Sequence, residues 1–217
     1  MVASNIASYF SPDREYSMYI NDIGFRIIPK IDWLELVDTY LLLVSAPMVV
    51  YGFYLDNTAQ IFTKFFTVYG MTLILRSMVV FLTVYPDPRN SCQVVSENLL
   101  TTIQAHRCSD CMFSGHMIPL VLAALFWTHF YIGPKRILIN SLAWLFSLVG
   151  GVLIIANRAH YTVDVVISIY VCCGAWIAHS YFFERPMYMM TMTNSSSELT
   201  HSPSEWTVQR LAASINV

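Results

Sequence analysis

Five apolar runs dominate this 217-residue sequence, at 34–55, 61–83, 113–132, 137–156 and 162–183. A helix needs about 20 apolar residues, rising about 1.5 Å each, to cross a hydrocarbon core about 30 Å thick. Each run meets that length, so the sequence predicts an all-α, polytopic membrane helix bundle with five spans. Composition agrees: 56% of the residues are hydrophobic and 12% charged, where a soluble domain carries about 25% charged residues. Mean hydropathy is +0.52. Thirteen Tyr, thirteen Phe and five Trp suit two interfacial belts. A net charge of -2 argues against a nucleic-acid partner.

The connectors divide the chain into three parts. Residues 1–30 form an N-terminal outer or interfacial segment without the apolar core of a signal peptide. Residues 31–187 carry the spans. Residues 188–217 form a polar tail, expected to be disordered and cytosolic. "DNTAQ" at 56–60 and "GPKR" at 133–136 are tight turns, and 85–112 is the one long loop, kept out of helix at its start by Pro86 and Pro88. Lys135 and Arg136, with Arg185 after the last run, place their side in the cytosol. The long loop and the "NRAHYT" turn at 157–162 then share the lumenal or exoplasmic side. Five spans put the N-terminus outside, which raises the expectation of a further, missing N-terminal span.

Two ionisable segments meet on that outer side. "CSDCMFSGHM" sets Asp110, Ser114, Gly115 and His116 at the start of the third run, and "NRAHYTVDVV" sets Arg158, His160 and Asp164 at the start of the fifth. His160 and Asp164, four apart, share one helix face. The carboxylate there can hold one ring nitrogen and leave the other nucleophilic. His116, from another helix, can protonate a leaving oxygen, and Arg158 offers a fork of donors suited to phosphate. Taken alone, either histidine reads as an interfacial or packing residue. The two segments together, both at span starts, are specific, and polar groups at the edge of a bilayer core are costly enough to need a reason.

These segments resemble the sphingomyelin synthase family, within the PAP2-like lipid phosphate phosphatase superfamily. "CSDCMFSGHM" is similar to that family's third signature and "HYTVDVV" to its fourth. "RSMVVFLTVYPDPRNSC" at 76–92 is similar to its second, and "YINDIGFRIIP" at 19–29 is weakly similar to its first. The resemblance implies a PAP2-like core with six spans, where this sequence offers five. It implies His160 as nucleophile, forming a phosphohistidine, with Asp164 orienting it and His116 as acid for the departing diacylglycerol. Asp110 would assist that proton transfer, Ser114 belongs to the same signature, and Arg76 leads the second. Cys92 and Cys108 match cysteines of the family pattern and are the first choice for a disulfide. The family works without a cofactor or metal. Ser109 stands where the family usually has Gly, Cys111 where an aromatic or aliphatic residue is frequent, and the first signature is eroded.

Other residues weigh less. Cys108 and Cys111 with His106 and His116 have a zinc-like spacing, but His116 has a better role. Cys172 and Cys173 read as packing residues. Arg76 reads equally as a snorkelling side chain or a phosphate contact. Glu35 and Asp38 read as interfacial rather than as members of the site. Asn194-Ser195-Ser196 is a glycosylation triplet on the side expected to be cytosolic, and His129 and His179 read as bland.

The expected function is phosphatidylcholine:ceramide cholinephosphotransfer at the outer leaflet of the Golgi or plasma membrane, with ceramide and phosphatidylcholine as lipid partners. An oligomer is compatible with the sequence. Alternatives are a ceramide phosphoethanolamine or inositol phosphorylceramide synthase, a lipid phosphate phosphatase, and a catalytically silent lipid-binding relative.

Overall fold

A computed structural model of the chain describes residues 2–11, 20–88, 92, 108 and 112–184. The chain divides into two compact units, 1–177 and 178–217. The described part of the second ends in a π-helical turn, Ser180–Glu184, where His179 stacks on Phe183 and lies 3.9 Å from Glu184 Oε1.

The helices are α1 (Val2–Tyr9), α2 (Ile23–Ile27), α3 (Leu34–Phe53), α4 (Thr58–Leu82), α5 (Met117–Phe130), α6 (Arg136–Ala156) and α7 (Thr162–His179). Every regular element among the described residues is helical, as the apolar runs require. Glu35–Phe53, Thr58–Leu82, Arg136–Ala156 and Thr162–Glu184 are each long and apolar enough to cross a membrane, and the chain is an integral membrane protein. They turn large side chains outward, among them Leu42, Phe66, Leu145 and Tyr170, where lipid covers them at no hydrophobic cost.

The third predicted span differs. Expected over 113–132, it is helical only over Met117–Phe130, 14 residues, which rise about 21 Å and fall short of a hydrocarbon core. Ser114 Oγ accepts the Met117 N–H at 3.3 Å and starts the helix there, so Phe113–His116 form a non-helical entry. Beyond Phe130 the sequence runs into Gly133-Pro134, which helix does not continue through. An apolar helix this short is a core helix, and most of α5 is enclosed: Met117, Leu120, Leu122 and Phe126 are at most 1% exposed. It packs on α3, α4 and α6. Small residues bring α6 in: a Cβ on Gly150 would meet Leu120 Cδ1 at 2.5 Å, and one on Gly151 would meet Val165 at 3.1 Å and Met117 Sδ at 3.5 Å. The core is thus closely packed at the starts of α5 and α7, which His116 and His160 precede.

Candidate active site

The turn that carries His160 is built by the end of α6. Ala159 N donates to Ile154 O at 3.1 Å and Arg158 N to Ile155 O at 3.0 Å, the paired bonds of a Schellman cap. That cap wants a left-handed residue, usually glycine. Here it is Arg158, at φ +54°. The side chain compensates for the strained backbone. Nη1 donates to Ile155 O at 3.1 Å, and Nη2 donates to Phe25 O at 2.8 Å and Ile28 O at 3.1 Å, with the guanidinium 4.3 Å over the Phe25 ring. The fork that the sequence offered to phosphate is therefore engaged by main-chain carbonyls.

His160 follows, buried at 5% exposure, with Asp164 at 1%. Nδ1 of His160 lies 3.6 Å from Asp164 Oδ2, just beyond hydrogen-bond reach, and has no hydrogen-bond partner among the described residues. Catalytic hydrogen bonds are often long before substrate binds. Oδ2 of Asp164 also accepts the Tyr161 N–H at 3.0 Å, while Asp164 N donates to Tyr161 O at 3.1 Å, so the first turn of α7 is closed from within. Tyr161 is anchored by its hydroxyl on Pro86 O at 3.0 Å and by stacking on Phe25 at 5.4 Å.

His116 arrives from α5. Its ring centroid is 6.2 Å from that of His160, the planes inclined by 61°. Ser168 Oγ donates to Asp164 O at 2.7 Å within α7 and lies 3.3 Å from Ser114 O, which brings the two elements together, and Ser114 is fully buried. Nε2 of His116 lies 3.2 Å from Asp38 Oδ1 on α3. Asp38, read from the sequence as interfacial, is exposed and also lies against this histidine. Its place in the second turn of a long apolar helix was the available signal. Glu35, one turn earlier, is exposed. Arg76 Nε donates to Phe113 O at 2.8 Å, and its guanidinium lies where a Cβ on Gly115 would meet it at 3.4–3.7 Å, which puts a cation at the entry to α5. Burial lowers the His116 pKa, His160 and Arg76 push the same way, and Asp38 pulls it back up.

A second carboxylate was not singled out in the sequence. Asp22 Oδ1 accepts from Gly24 N at 2.7 Å, Phe25 N at 3.3 Å and Thr162 Oγ1 at 2.6 Å, and Oδ2 accepts from Thr162 N at 2.7 Å. Burial opposes its charge, but these bonds, Thr162's first, outweigh it and lower the pKa. An Asn-Asp pair before an apolar stretch is a helix-start signal that could have found it. Cys92 and Cys108 are joined in a disulfide, which takes Cys108 out of the zinc-like cluster. Asp110 lies outside the described residues, as do His106 and Cys111.

A family profile for the PAP2 superfamily C-terminal region matches residues 107–181, which hold both histidines. The chain is similar to phosphatidylinositol:ceramide inositolphosphotransferase of Trypanosoma cruzi, 27% identical over 78% of this chain and 66% of the relative. It is similar to phosphatidylethanolamine:ceramide ethanolaminephosphotransferase of Trypanosoma brucei brucei, 32% identical over 53% of this chain and 39% of the relative. It is also similar to phosphatidylcholine:ceramide cholinephosphotransferase 1 of Caenorhabditis elegans, 28% identical over 46% of this chain and 21% of the relative. The chain thus spans less than two thirds of the length of each. The resemblance to the sphingomyelin synthase family, within the PAP2-like superfamily, holds.

Proposed function

We propose that the chain transfers a phospho-headgroup from a glycerophospholipid to the primary hydroxyl of ceramide. The observation that carries this reading is the meeting of two histidines from different helices, each beside a carboxylate, their ring centroids 6.2 Å apart. The nitrogen of each ring that does not face a carboxylate does the chemistry: Nε2 of His160 and Nδ1 of His116. In the first half-reaction Nε2 of His160 attacks phosphorus. The P–N bond forms, the P–O bond to diacylglycerol breaks, and His116 supplies the proton to the leaving oxygen. In the second, His116 takes the proton of the ceramide hydroxyl. That oxygen attacks phosphorus, and the P–N bond breaks to restore His160. Asp164 and Asp38 hold the two rings, Arg76 offers positive charge near the phosphoryl group, and Asp110 assists the proton transfer. Arg158 acts through the turn it locks rather than on the phosphate.

Relatives named for inositol, ethanolamine and choline transfer support the common reaction. Phe113-Ser114-Gly115-His116 leans toward choline or ethanolamine, and phosphocholine is the headgroup we assign. The site would face the lumenal or exoplasmic leaflet, where the disulfide is stable. The test expresses the chain in cells lacking sphingomyelin synthesis, supplies fluorescent ceramide, and separates the products beside His160→Ala. A phosphosphingolipid absent from the variant supports the reading, and its mobility names the headgroup. Folded, inserted protein without product overturns it. Phosphate release from phosphatidic acid in its place would favour a phosphatase.

A further inference from the structure

We infer that Asp22 is a positioning residue for His160, and that residues 22–33 form a strap that locks the catalytic turn from outside. This rests on the proposed role of His160 and adds to it.

The turn has two consecutive amide donors, Tyr161 N–H and Thr162 N–H, at the start of α7, where helix geometry leaves such groups without partners of their own. The first goes to Asp164 Oδ2 and the second to Asp22 Oδ2. The peptide planes that follow His160 are thus pinned by two carboxylates, one from inside the helix and one from a segment 140 residues away. Asp22 also takes the Thr162 hydroxyl and the first N–H groups of α2, so one carboxylate caps two helix starts and joins them. There is no slack at the junction: a Cβ on Gly24 would collide with Thr162 Oγ1.

The rest of the strap repeats the pattern on the other flank of the turn. Ile31 N donates to Ala156 O at 2.9 Å, and Trp33 N donates to Asn157 Oδ1 at 2.9 Å. The carbonyls of Phe25 and Ile28 hold the Arg158 fork. Every residue from 156 to 162 except Ala159 and His160 is thereby bonded or stacked to residues 22–33 or closed by Asp164. Among the described residues the His160 ring has its edge-on contact with His116 and its 3.6 Å approach to Asp164. Its ring is aimed by its backbone, so loosening that backbone lengthens a contact already at the limit of hydrogen-bond reach. A displacement of about 1 Å at a reacting group costs on the order of 10²-fold in rate.

The test is a single-turnover experiment with purified full chain in mixed bilayers. The donor is an equimolar mixture of phosphatidylcholine, phosphatidylethanolamine and phosphatidylinositol, each phosphorus-labelled. Asp22→Ala is expected to slow formation of the histidine-bound label by about tenfold or more with the final amplitude and the donor KM kept. A purely structural residue would lower amplitude and leave the rate constant alone, and that result overturns the inference. Thr162→Val should lower the rate less, and the double variant should match Asp22→Ala, because both remove one interaction; additive losses contradict the clamp. Hydrogen exchange of the peptide containing Tyr161 and Thr162, without substrate, is expected to rise in Asp22→Ala, and unchanged exchange contradicts the clamp even in a chain that transfers nothing. A wild type that forms no labelled histidine while its exchange responds to Asp22→Ala defeats the proposed function and keeps the clamp's geometry.

Discussion

The same three helices carry ionisable or aromatic side chains near both ends, and the two ends are built differently. On α5, His116 precedes the first residue and His129 lies in the last turn. On α4, Arg76 and Lys64 are twelve residues apart, and on α7 Asp164 and Trp176 are separated by the same interval, about 18 Å along a helix. At the far end Lys64, 4% exposed, sits 4.6 Å over the Trp176 ring and 5.8 Å from that of Phe130, with its Nζ 3.4 Å from His129 Nε2. Aromatic faces and a neighbouring nitrogen satisfy that ammonium. At the near end each histidine faces a carboxylate and keeps a buried Nδ1 without a hydrogen bond among the described residues. A buried ionisable group is therefore no sign of chemistry by itself. A pair of histidines from two elements, each beside a carboxylate and facing the other, is.

That contrast breaks most sharply on nucleophile removal. His160→Ala is expected to lower transfer by on the order of 10⁴-fold or more, measured as fluorescent phosphosphingolipid formed per molecule of inserted protein. Lys64→Met at the far end should leave that rate within about threefold and move the melting temperature instead, since it removes cation–π contacts. Equal losses of transfer from both would erase the distinction.

The next effect separates the two histidines at one end. His116→Ala should cost about 10²–10⁴-fold. Asp38→Asn should cost about tenfold and also move the pH profile. Burial holds the His116 imidazolium below the ordinary histidine range and Asp38 draws it upward, so removing that charge lowers the pKa further. The alkaline limb of the first half-reaction, where the acid is lost, then shifts to lower pH. A limb that stays in place or rises contradicts the assignment of His116 as the acid.

Smaller effects test which end depends on its loop. The Cys92–Cys108 bridge spans a sequence separation of 16, for which closure is worth about 3 kcal/mol. Reduction is expected to lower the melting temperature by several degrees and to weaken protection around Tyr161, whose hydroxyl rests on Pro86 O, with little change around Trp176. The smallest is acid sensitivity. The Asp22 pKa is lowered from 3.8, so its stabilisation is present in full above that unfolded value and lost as pH falls through the lower folded one. Across that range the melting temperature should fall with pH for wild type and fall less for Asp22→Asn.

Much of this could be read from residues alone, where a signal is local. His160 and Asp164 share a helix face by their spacing, and apolar runs mark the long helices by their length. The shortness of α5 could not be read, because the apolar residues of Phe113 and Tyr131 continue the run while a hydroxyl and a Gly-Pro pair end the helix. Asp38 was read as interfacial and Asp22 was not singled out, for a different reason. Each lies against a partner far along the chain, His116 and Thr162; local signals mark the two carboxylates but not the partners they meet. Arg158 was misjudged by chemistry rather than position: a guanidinium suits phosphate, but it suits carbonyls equally, and a non-glycine left-handed cap needed it.

The central claim is that His160 carries the headgroup. The most direct measurement incubates the full chain with headgroup-labelled donor lipid and no ceramide, then maps the added mass by peptide sequencing under alkaline conditions that preserve phosphohistidine. The phospho-headgroup is expected on His160, discharged when ceramide is added and absent from His160→Ala. Label on His116, or ceramide product formed with no labelled histidine in a trapped turnover, would contradict it.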